Sequence, residues 1–440
     1  MRPLFAKSEV DCSPARWGDP GCQTALPGNE ESTIKFMQKP DRILYLLRTS
    51  GIPVTTKAAP EPGTRIYRVH LFENHVLMVE KSYVQQQWTK YSIAHSDFQR
   101  IDPAVDDYEA RAVIRLAIRS LYAVGLHLGQ IILQAASPFR VKVRSISAEW
   151  DAEHKPGFLA EAEAWWLKEQ GSWESPQIQL GADPEFALRH PDGKMALASD
   201  FMGISGVVGC DSTRYREDLA LHQHPLVELR PAPSAEPDAL FSRIVKALGA
   251  AAKKIVDKEV EWISGGMPFD GYPTGGHIHF SGIRPHFSLL RRLDAYLALP
   301  LVLIEDEGCR KRRPRYGFLG DVREKEYGIV KGFEYRTLPS WLVHPVVARG
   351  VLHLARLVAS SADILSRGCI APALIRAYYK GEKEQLVPYV NSIWKEISAL
   401  PGYERSRSCL DDYFSFLLAG HTWPANSDLR KVWCHYVGKA

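Results

Sequence analysis

Apolar and polar positions alternate along Arg65-Ile66-Tyr67-Arg68-Val69-His70-Leu71-Phe72 and again along Val76-Leu77-Met78-Val79-Glu80, with Glu73-Asn74-His75 between them. A period of two marks strands, so this stretch predicts a hairpin. Residues 106–126 predict a helix, with Asp106 and Asp107 complementing the dipole at its start and Gly125 near its end. Gln130-Ile131-Ile132-Leu133 and Arg140-Val141-Lys142-Val143 predict a second strand pair, and residues 158–169 a helix. Further on, Ile178 and Leu180 lead into Gly181-Ala182-Asp183-Pro184-Glu185-Phe186, a strand closed by the turn signal Pro191-Asp192-Gly193. Leu226-Val227-Glu228-Leu229-Arg230, Gly276-His277-Ile278-His279-Phe280 and Phe333-Glu334-Tyr335-Arg336-Thr337 also read as short strands. Between the first two of these, residues 237–263 predict a long helix. Phe241, Ile244, Val245 and Leu248 recur at helical spacing, and Gly265-Gly266 supplies the stop. Beyond Trp341 the pattern turns helical, with one stripe at Val347, Val351, Leu354 and Leu357 and another starting at Ile375, Tyr378 and Tyr379.

This order divides the chain into an irregular arm (1–33, rich in Pro, Gly and small polar residues), an α+β unit (34–150), a helical connector (151–175) and a larger unit (176–440). Trp165, Trp166 and Trp173 of the connector read as packing between the units. With 45% hydrophobic and 24% charged residues the composition is that of a soluble globular protein, and a net charge of +4 is too small to argue for nucleic acid. The opening Met1-Arg2-Pro3-Leu4-Phe5-Ala6-Lys7 lacks the apolar core of a signal peptide, and no apolar run reaches membrane-spanning length. Seven widely spaced cysteines, an odd number, read as reduced thiols in a cytoplasm. Cys12 and Cys22 are not spaced as a zinc knuckle.

The chemistry enters with a recurring pair. Residues two apart on a strand share a face, so Asp183 and Glu185 set two carboxylates side by side, and these repel unless a cation lies between them. Taken alone, that pair reads as a solvated surface. The same spacing recurs in the three later strands. If the four lie in one sheet with these faces aligned, the face displays Asp183, Glu185, Glu228, His277, His279 and Glu334 among Arg230 and Arg336. Hard oxygen donors with an imidazole suit Mg2+ or Mn2+, and the guanidinium groups suit an anionic substrate. Asp211, ending a glycine-rich stretch, is a further candidate. His277 follows Gly275-Gly276, where backbone can approach a bound group closely. His279 fits substrate or nucleotide phosphate, or a hydrogen bond to a ligating carboxylate. The most basic segment carries Arg310, Lys311, Arg312, Arg313, Arg315, Arg323 and Lys325. It reads either as a solvated or nucleic-acid-binding loop or as a clamp on polyphosphate; its place between the histidine and Glu334 strands favours the clamp, with Arg315 and Arg323 as first choices.

In this order the four motifs resemble the metal-binding strands of the glutamine synthetase superfamily, and more closely the phage-type carboxylate–amine ligases known as amidoligases of type 2. The resemblance covers residues 176–345; each motif alone is weak, but four in order are specific. It implies an α+β, glutamine synthetase-like catalytic domain whose curved, mainly antiparallel sheet is backed by helices. It implies Glu185, Glu228, His277 and Glu334 as metal ligands; Asp183 stands where glutamine synthetase has Glu, so it would ligate directly or through water. ATP and Mg2+ or Mn2+ follow. His279, Arg312, Arg315 and Arg323 would hold the nucleotide, and Arg336, Arg315, Arg323 and Arg230 would act at the reacting groups. The implied reaction is ATP-dependent condensation of a carboxylate with an amine through an acyl phosphate, on an amino-acid or peptide substrate. Two alternatives stay open: a phosphotransferase of the same fold acting on a guanidino group, and a peptide- or nucleic-acid-binding protein with a decayed site. The first unit resembles the C-terminal part of an ATP-grasp domain. Where that family places carboxylates for Mg-ATP, this chain has Gln130, Gln134, Arg144 and Ser145, so no catalysis is assigned there.

Overall fold

In the computed structural model, residues 26–57, 60, 63–87, 92–102, 107–173, 177–212, 219–328, 330–366 and 370–437 are described. Most of the expected arm, Asp106, Cys12, Cys22 and Cys369 lie outside them. The part of the arm that is described is not all irregular: α1 (Glu31–Met37) begins there, followed by α2 (Pro40–Thr49). The alternating stretch folds as β1 (Arg65–Phe72) and β2 (His75–Gln87), joined at Glu73. There Glu73 takes φ 51°, unlike any other non-glycine residue among those described. Strands β3 (Ser92–His95) and β4 (Gln99–Ile101) both pair with β2. Helix α3 (Tyr108–Ala123) starts where Asp107 caps it, accepting from Glu109 N at 2.9 Å. Strands β5 (Leu128–Ala135) and β6 (Val141–Ser147) complete an antiparallel sheet of order β3-β2-β1-β5-β6. Connector helix α4 (Lys155–Ser172) buries Phe158, Ala162 and Trp166 against Phe72, Leu77 and Trp150.

The later strands form two sheets rather than the one expected. β7 (Gln179–Ala182) and β8 (Glu185–Arg189) are one extended run broken at Asp183-Pro184. Proline has no N–H for the ladder, so pairing changes partners there. β8 lies in a five-stranded sheet with β9 (Met195–Ala196), β10 (Val208–Cys210), β11 (Leu226–Leu229) and β12 (Glu261–Ile263), in the order β10-β11-β8-β12 with β9 on β8. β7 is the edge of a four-stranded sheet with β13 (Ile278–Ser281), β14 (Val322–Tyr327) and β15 (Val330–Tyr335), in the order β14-β15-β13-β7. Hydrogen bonds cross the seam: Glu185 N donates to Gly275 O (2.9 Å) and Leu229 N to Pro184 O (3.1 Å). The two sheets therefore share the β7–β8 run and are tied together at its break, and the chemistry-bearing faces still converge.

Helix α5 (Pro237–Lys254) covers them, burying Leu240, Ile244, Ala247, Leu248 and Ala251. It ends at Lys254, short of the predicted residue 263. Its missing end is strand β12, whose residues Glu261–Ile263 pair antiparallel with β8. Helix α6 (Phe287–Leu293) runs through a π-helical turn, Asp294–Ala298, into α7 (Leu299–Leu301), and α8 (Glu307–Arg312) leads into the basic segment. α9 (Pro345–Ser360) buries Val347, Val351, Leu354 and Leu357, the predicted stripe. α10 (Pro372–Lys380), α11 (Lys383–Ser398), α12 (Arg407–Leu418) and α13 (Arg430–Val437) finish the outer layer. One apolar cluster runs from Leu46 and Leu47 in α2 through the sheets to Trp433 in α13. No helix among the described residues is long and apolar enough to cross a membrane.

Candidate active site

Where the two sheets meet, pairing register brings the acidic strands together. Glu228 of β11 lies directly opposite Glu185 of β8. His279 of β13 lies opposite Glu334 of β15, which has Arg323 of β14 on its other side. The result is a polar cleft of about 360 Å³ lined by Asp183, Glu185, Asp211, Glu228, His277 and Glu334, with Arg230, Arg312, Arg323, Lys325 and Arg336. All five expected metal ligands are thus together, as are four of the expected arginines. Arg315 is not among the lining residues; it is exposed in the turn that follows α8. His279 stands just behind the lining, its Nε2 2.9 Å from Asp183 Oδ2 and its Nδ1 bonded to Tyr327 Oη at 2.7 Å. That is the carboxylate-holding position, one of the roles open to it from the sequence.

The charges are arranged tightly. His277 Nδ1 lies 3.2 Å from Asp183 Oδ1 and 3.1 Å from Glu334 Oε1. Glu334 also meets Lys325 Nζ at 2.8 Å, Arg336 Nε at 3.1 Å and Arg323 Nη1 at 3.6 Å. Glu185 Oε2 accepts from Gly275 N at 2.9 Å, and Glu228 is ion-paired with Arg230, which also donates to Cys210 O. Arg312 is buried and donates to the carbonyls of Thr337 (3.0 Å) and Arg336 (3.2 Å), while its Nε finds no partner. Among the described residues it stands in no ion pair: a buried guanidinium facing the cleft with only carbonyls to hold it.

Crowding moves the proton affinities. Burial, reinforced by Asp211 and Asp183 against the pull of His277, pushes Glu185 up to about 8. Burial and Asp183 push Glu228 up to about 7, with Arg230 opposing. Burial works against a charged His277, but Asp183 and Glu334 prevail and hold it up at about 10. Asp183 and Glu334 are drawn well below the usual carboxylate range: burial opposes this, and the histidines, with Lys325 at Glu334, outweigh it. In chemical terms, protons occupy a place where a cation would relieve the same repulsion.

The donor set fits a hard divalent ion. Asp183, His277 and Glu334 each offer an atom within 4.8 Å of the others, all three residues are buried, and Glu185 and Glu228 add carboxylates from the neighbouring sheet. Sequence reasoning missed Asp321, Tyr316 and Gly317, which line the cleft from the loop before β14, and passed over Lys325 for its neighbours. Lys325 could have been found: with Arg323 it occupies alternate positions of a strand, so both face the same way. Asp321 carried no such signal.

Residues 180–434 match a family model described as Phage phiEco32-like COOH.NH2 ligase-type 2. No curated protein matches the chain. Among solved structures, the ATP-grasp ligase PsnB complexed with minimal precursor is 14% identical, with a TM-score of 0.23, over 32% of this chain and 64% of that one. A bifunctional glutathione synthetase from Pasteurella multocida is 11% identical, with a TM-score of 0.34, over 62% of this chain and 49% of that one. The chain covers less than two thirds of the length of either.

Proposed function

From the fact that this chain belongs to the phage phiEco32-like COOH.NH2 ligase-type 2 family, we propose that it is an ATP-dependent ligase forming an amide or isopeptide bond on an amino-acid or peptide substrate through an acyl phosphate. The observation that carries this reading is the cleft itself, where five candidate ligands and five cationic side chains converge. Condensing a carboxylate with an amine in water requires activation, because the carboxylate oxygen is a poor leaving group. Transfer of the terminal phosphoryl group of ATP to that oxygen releases ADP. The amine then attacks the carbonyl carbon, phosphate leaves with the C–O bonding pair, and the amine gives up a proton. A divalent cation held by Asp183, Glu185, Glu228, His277 and Glu334 would neutralise phosphate charge.

The rest falls to this chain's own side chains. Arg336, Arg323 and Lys325 line one wall and offer N–H donors to the transferring group. Arg312, buried and without a carboxylate partner, suits an anion of the nucleotide. Arg230, tied to Glu228, orients that carboxylate and reaches the substrate end. His279 fixes Asp183 from behind. Arg315, exposed outside the cleft, has no role in this scheme. We read residues 176–440 as the catalytic domain, of glutamine synthetase-like kind, with residues 34–150 as a scaffold joined to it through 151–175.

The test is ADP release by the purified protein with Mg2+, ATP and a panel of amino acids and peptides, with products identified by mass. ADP tied to a condensed product, lost in Glu185→Ala and Glu334→Ala, supports the ligase. ADP with a phosphorylated guanidino product and no condensation replaces it with a phosphotransferase. Peptide or nucleic-acid binding that survives Glu185→Ala, without ATP turnover, replaces it with a binding protein.

A further inference from the structure

Strand β15 has two faces, and the one turned away from the cleft is also built around polar groups. Glu334 and Arg336 face the cleft; Tyr335 and Thr337 alternate with them and point to Asp294, in the π-helical turn after α6. Asp294 accepts from Tyr335 Oη at 2.7 Å and from Tyr122 Oη of α3 at 2.6 Å. Beside it lies a cavity of about 340 Å³. Its walls come from α1, α2, α3, α6 and α10, and they are mostly apolar: Phe36, Leu46, Leu319 and Ile375 among them. This cavity shares no lining residue with the cleft.

Three features bear on what it holds. The apolar part of the wall is left without packing partners on the cavity side, and a guest would supply those contacts. The volume lies within the range of small-molecule pockets, which combine apolar walls with a few converging polar groups. The charges at the wall are already satisfied. Arg119 donates to Ser50 O (2.7 Å) and Pro314 O (3.1 Å) and lies over the Phe318 ring; Arg291 meets His127 Nε2 and Leu126 O, each at 2.8 Å. Asp294 is held by its tyrosines. Unlike Arg312 in the cleft, neither Arg119 nor Arg291 has a buried N–H left without a partner, and the apolar remainder of the wall penalises burial of a further charge, so the chemistry favours a neutral guest. Among the described wall residues, the Tyr122–Asp294 pair, with the hydroxyls of Ser32, Ser50 and Tyr379 around the same cavity, offers polar groups that take a hydroxyl or an amide.

We propose that this cavity is a second ligand site, separate from the cleft, for a compact uncharged molecule: an aromatic or alicyclic ring carrying one hydroxyl or amide.

The test is calorimetric titration of the full-length protein with phenol and with indole, repeated on Ile375→Trp in α10 and Ala123→Met in α3, which both line the cavity, and on Glu185→Ala in the cleft. Each variant is first checked by circular dichroism and thermal melting; the second filling variant stands in if the first does not fold. The expected result is saturable binding of phenol or indole to wild type, weakened by roughly tenfold or more in a folded filling variant and unchanged in Glu185→Ala. Failure of wild type to bind either probe overturns the proposal, as does equal binding by wild type and a folded filling variant. Loss of binding in Glu185→Ala also overturns it, because the probe would then sit in the cleft. None of these readings requires turnover, so they stand apart from the fate of the ligase assignment.

Discussion

Gly275 and Gly276 sit side by side before β13, yet a methyl group would do different damage at each. On Gly275 it would lie 2.2 Å from His277 Nε2; on Gly276 it would meet Pro339 O and the Trp341 indole at 2.5 Å. The first contact is with a ring that can swing, the second with backbone and a buried indole that cannot. Gly275→Ala is therefore expected to displace His277 and weaken Mn2+ binding by roughly tenfold, with a small change in melting temperature. Gly276→Ala is expected to lower stability by about 1–3 kcal/mol, the range for overpacking a filled site. Titration calorimetry and urea unfolding of the two variants separate these outcomes. Sequence spacing made the acidic residues and His277 legible, because alternation on a strand is a rule of side-chain direction. It left Arg315 as a first choice and Lys325 as one of a basic run, because which residue of that run turns inward depends on a chain path that local pattern does not encode. Asp294 was invisible for the same reason, and it carries a prediction of its own. Burial pushes its carboxyl up to about 7 from an ordinary 3.8, its tyrosine and threonine donors notwithstanding. The folded state then binds this proton more tightly than the unfolded state. Its contribution is fully present below about pH 4 and is lost as pH rises towards 7. Asp294→Asn keeps the shape without the charge, so wild type should lose on the order of 4 kcal/mol relative to it between those limits. Urea unfolding of both at pH 4.5, 6 and 7.5 checks this; parallel curves would refute it.

At the scale of elements, the hairpin, α3, β5, β6 and the stripe on α9 follow from periodicity and caps, and their cores are where the pattern places them. Two misreadings have clear causes. The first is Pro184. In the string it is one residue in a strand, whereas in three dimensions its missing N–H moves β8 into a different sheet from β7. Because β7 and β8 continue one run across the break, Asp183 and Glu185 still line the same cleft. The second is the end of α5. Apolar residues continue at Val260, Trp262 and Ile263, and a short apolar run fits either period, so the helix was carried too far. What decides the matter is tertiary: Trp262 stacks on Phe186 with centroids 4.9 Å apart, and β12 pairs with the strand bearing Glu185. Trp262 is about 1% exposed. Trp262→Ala is accordingly expected to cost about 3–5 kcal/mol in urea unfolding. A helical reading of this segment would instead allow Trp262→Leu, a good helix former, with little loss. In the strand, Leu leaves the stacking partner of Phe186 unfilled, and most of the cost should remain.

Across the whole molecule, the unit before the connector and the unit after it are not joined by packing of the connector tryptophans alone. Glu73 in the β1–β2 turn is fully buried, and its Oε1 meets His127 Nδ1 at 2.9 Å and accepts from Phe287 N at 3.2 Å at the start of α6. His127 Nε2 in turn lies 2.8 Å from Arg291 Nη1. Burial disfavours a charged Glu73, yet His127 outweighs it and keeps the carboxyl below its ordinary value. A buried carboxylate, an imidazole and a guanidinium thus run from one unit into the other, at the point where Glu73 takes its uncommon positive φ. Nothing in the sequence marked this chain of contacts, since its members are separated by scores of residues and none belongs to a motif. Two expectations follow from it and from the single apolar cluster shared by α2 and α13. The two units should unfold together, so that circular dichroism and tryptophan fluorescence trace one urea transition. His127→Leu keeps the volume but strips Glu73 and Arg291 of their link, leaving a buried charge with only a backbone donor. A loss of about 3–5 kcal/mol is expected, with the two probes still coincident. If the transitions of the variant separate, the link is the joint between two independently stable units. If His127→Leu costs nothing, the charged chain contributes no stability, and the apolar cluster alone holds the halves together.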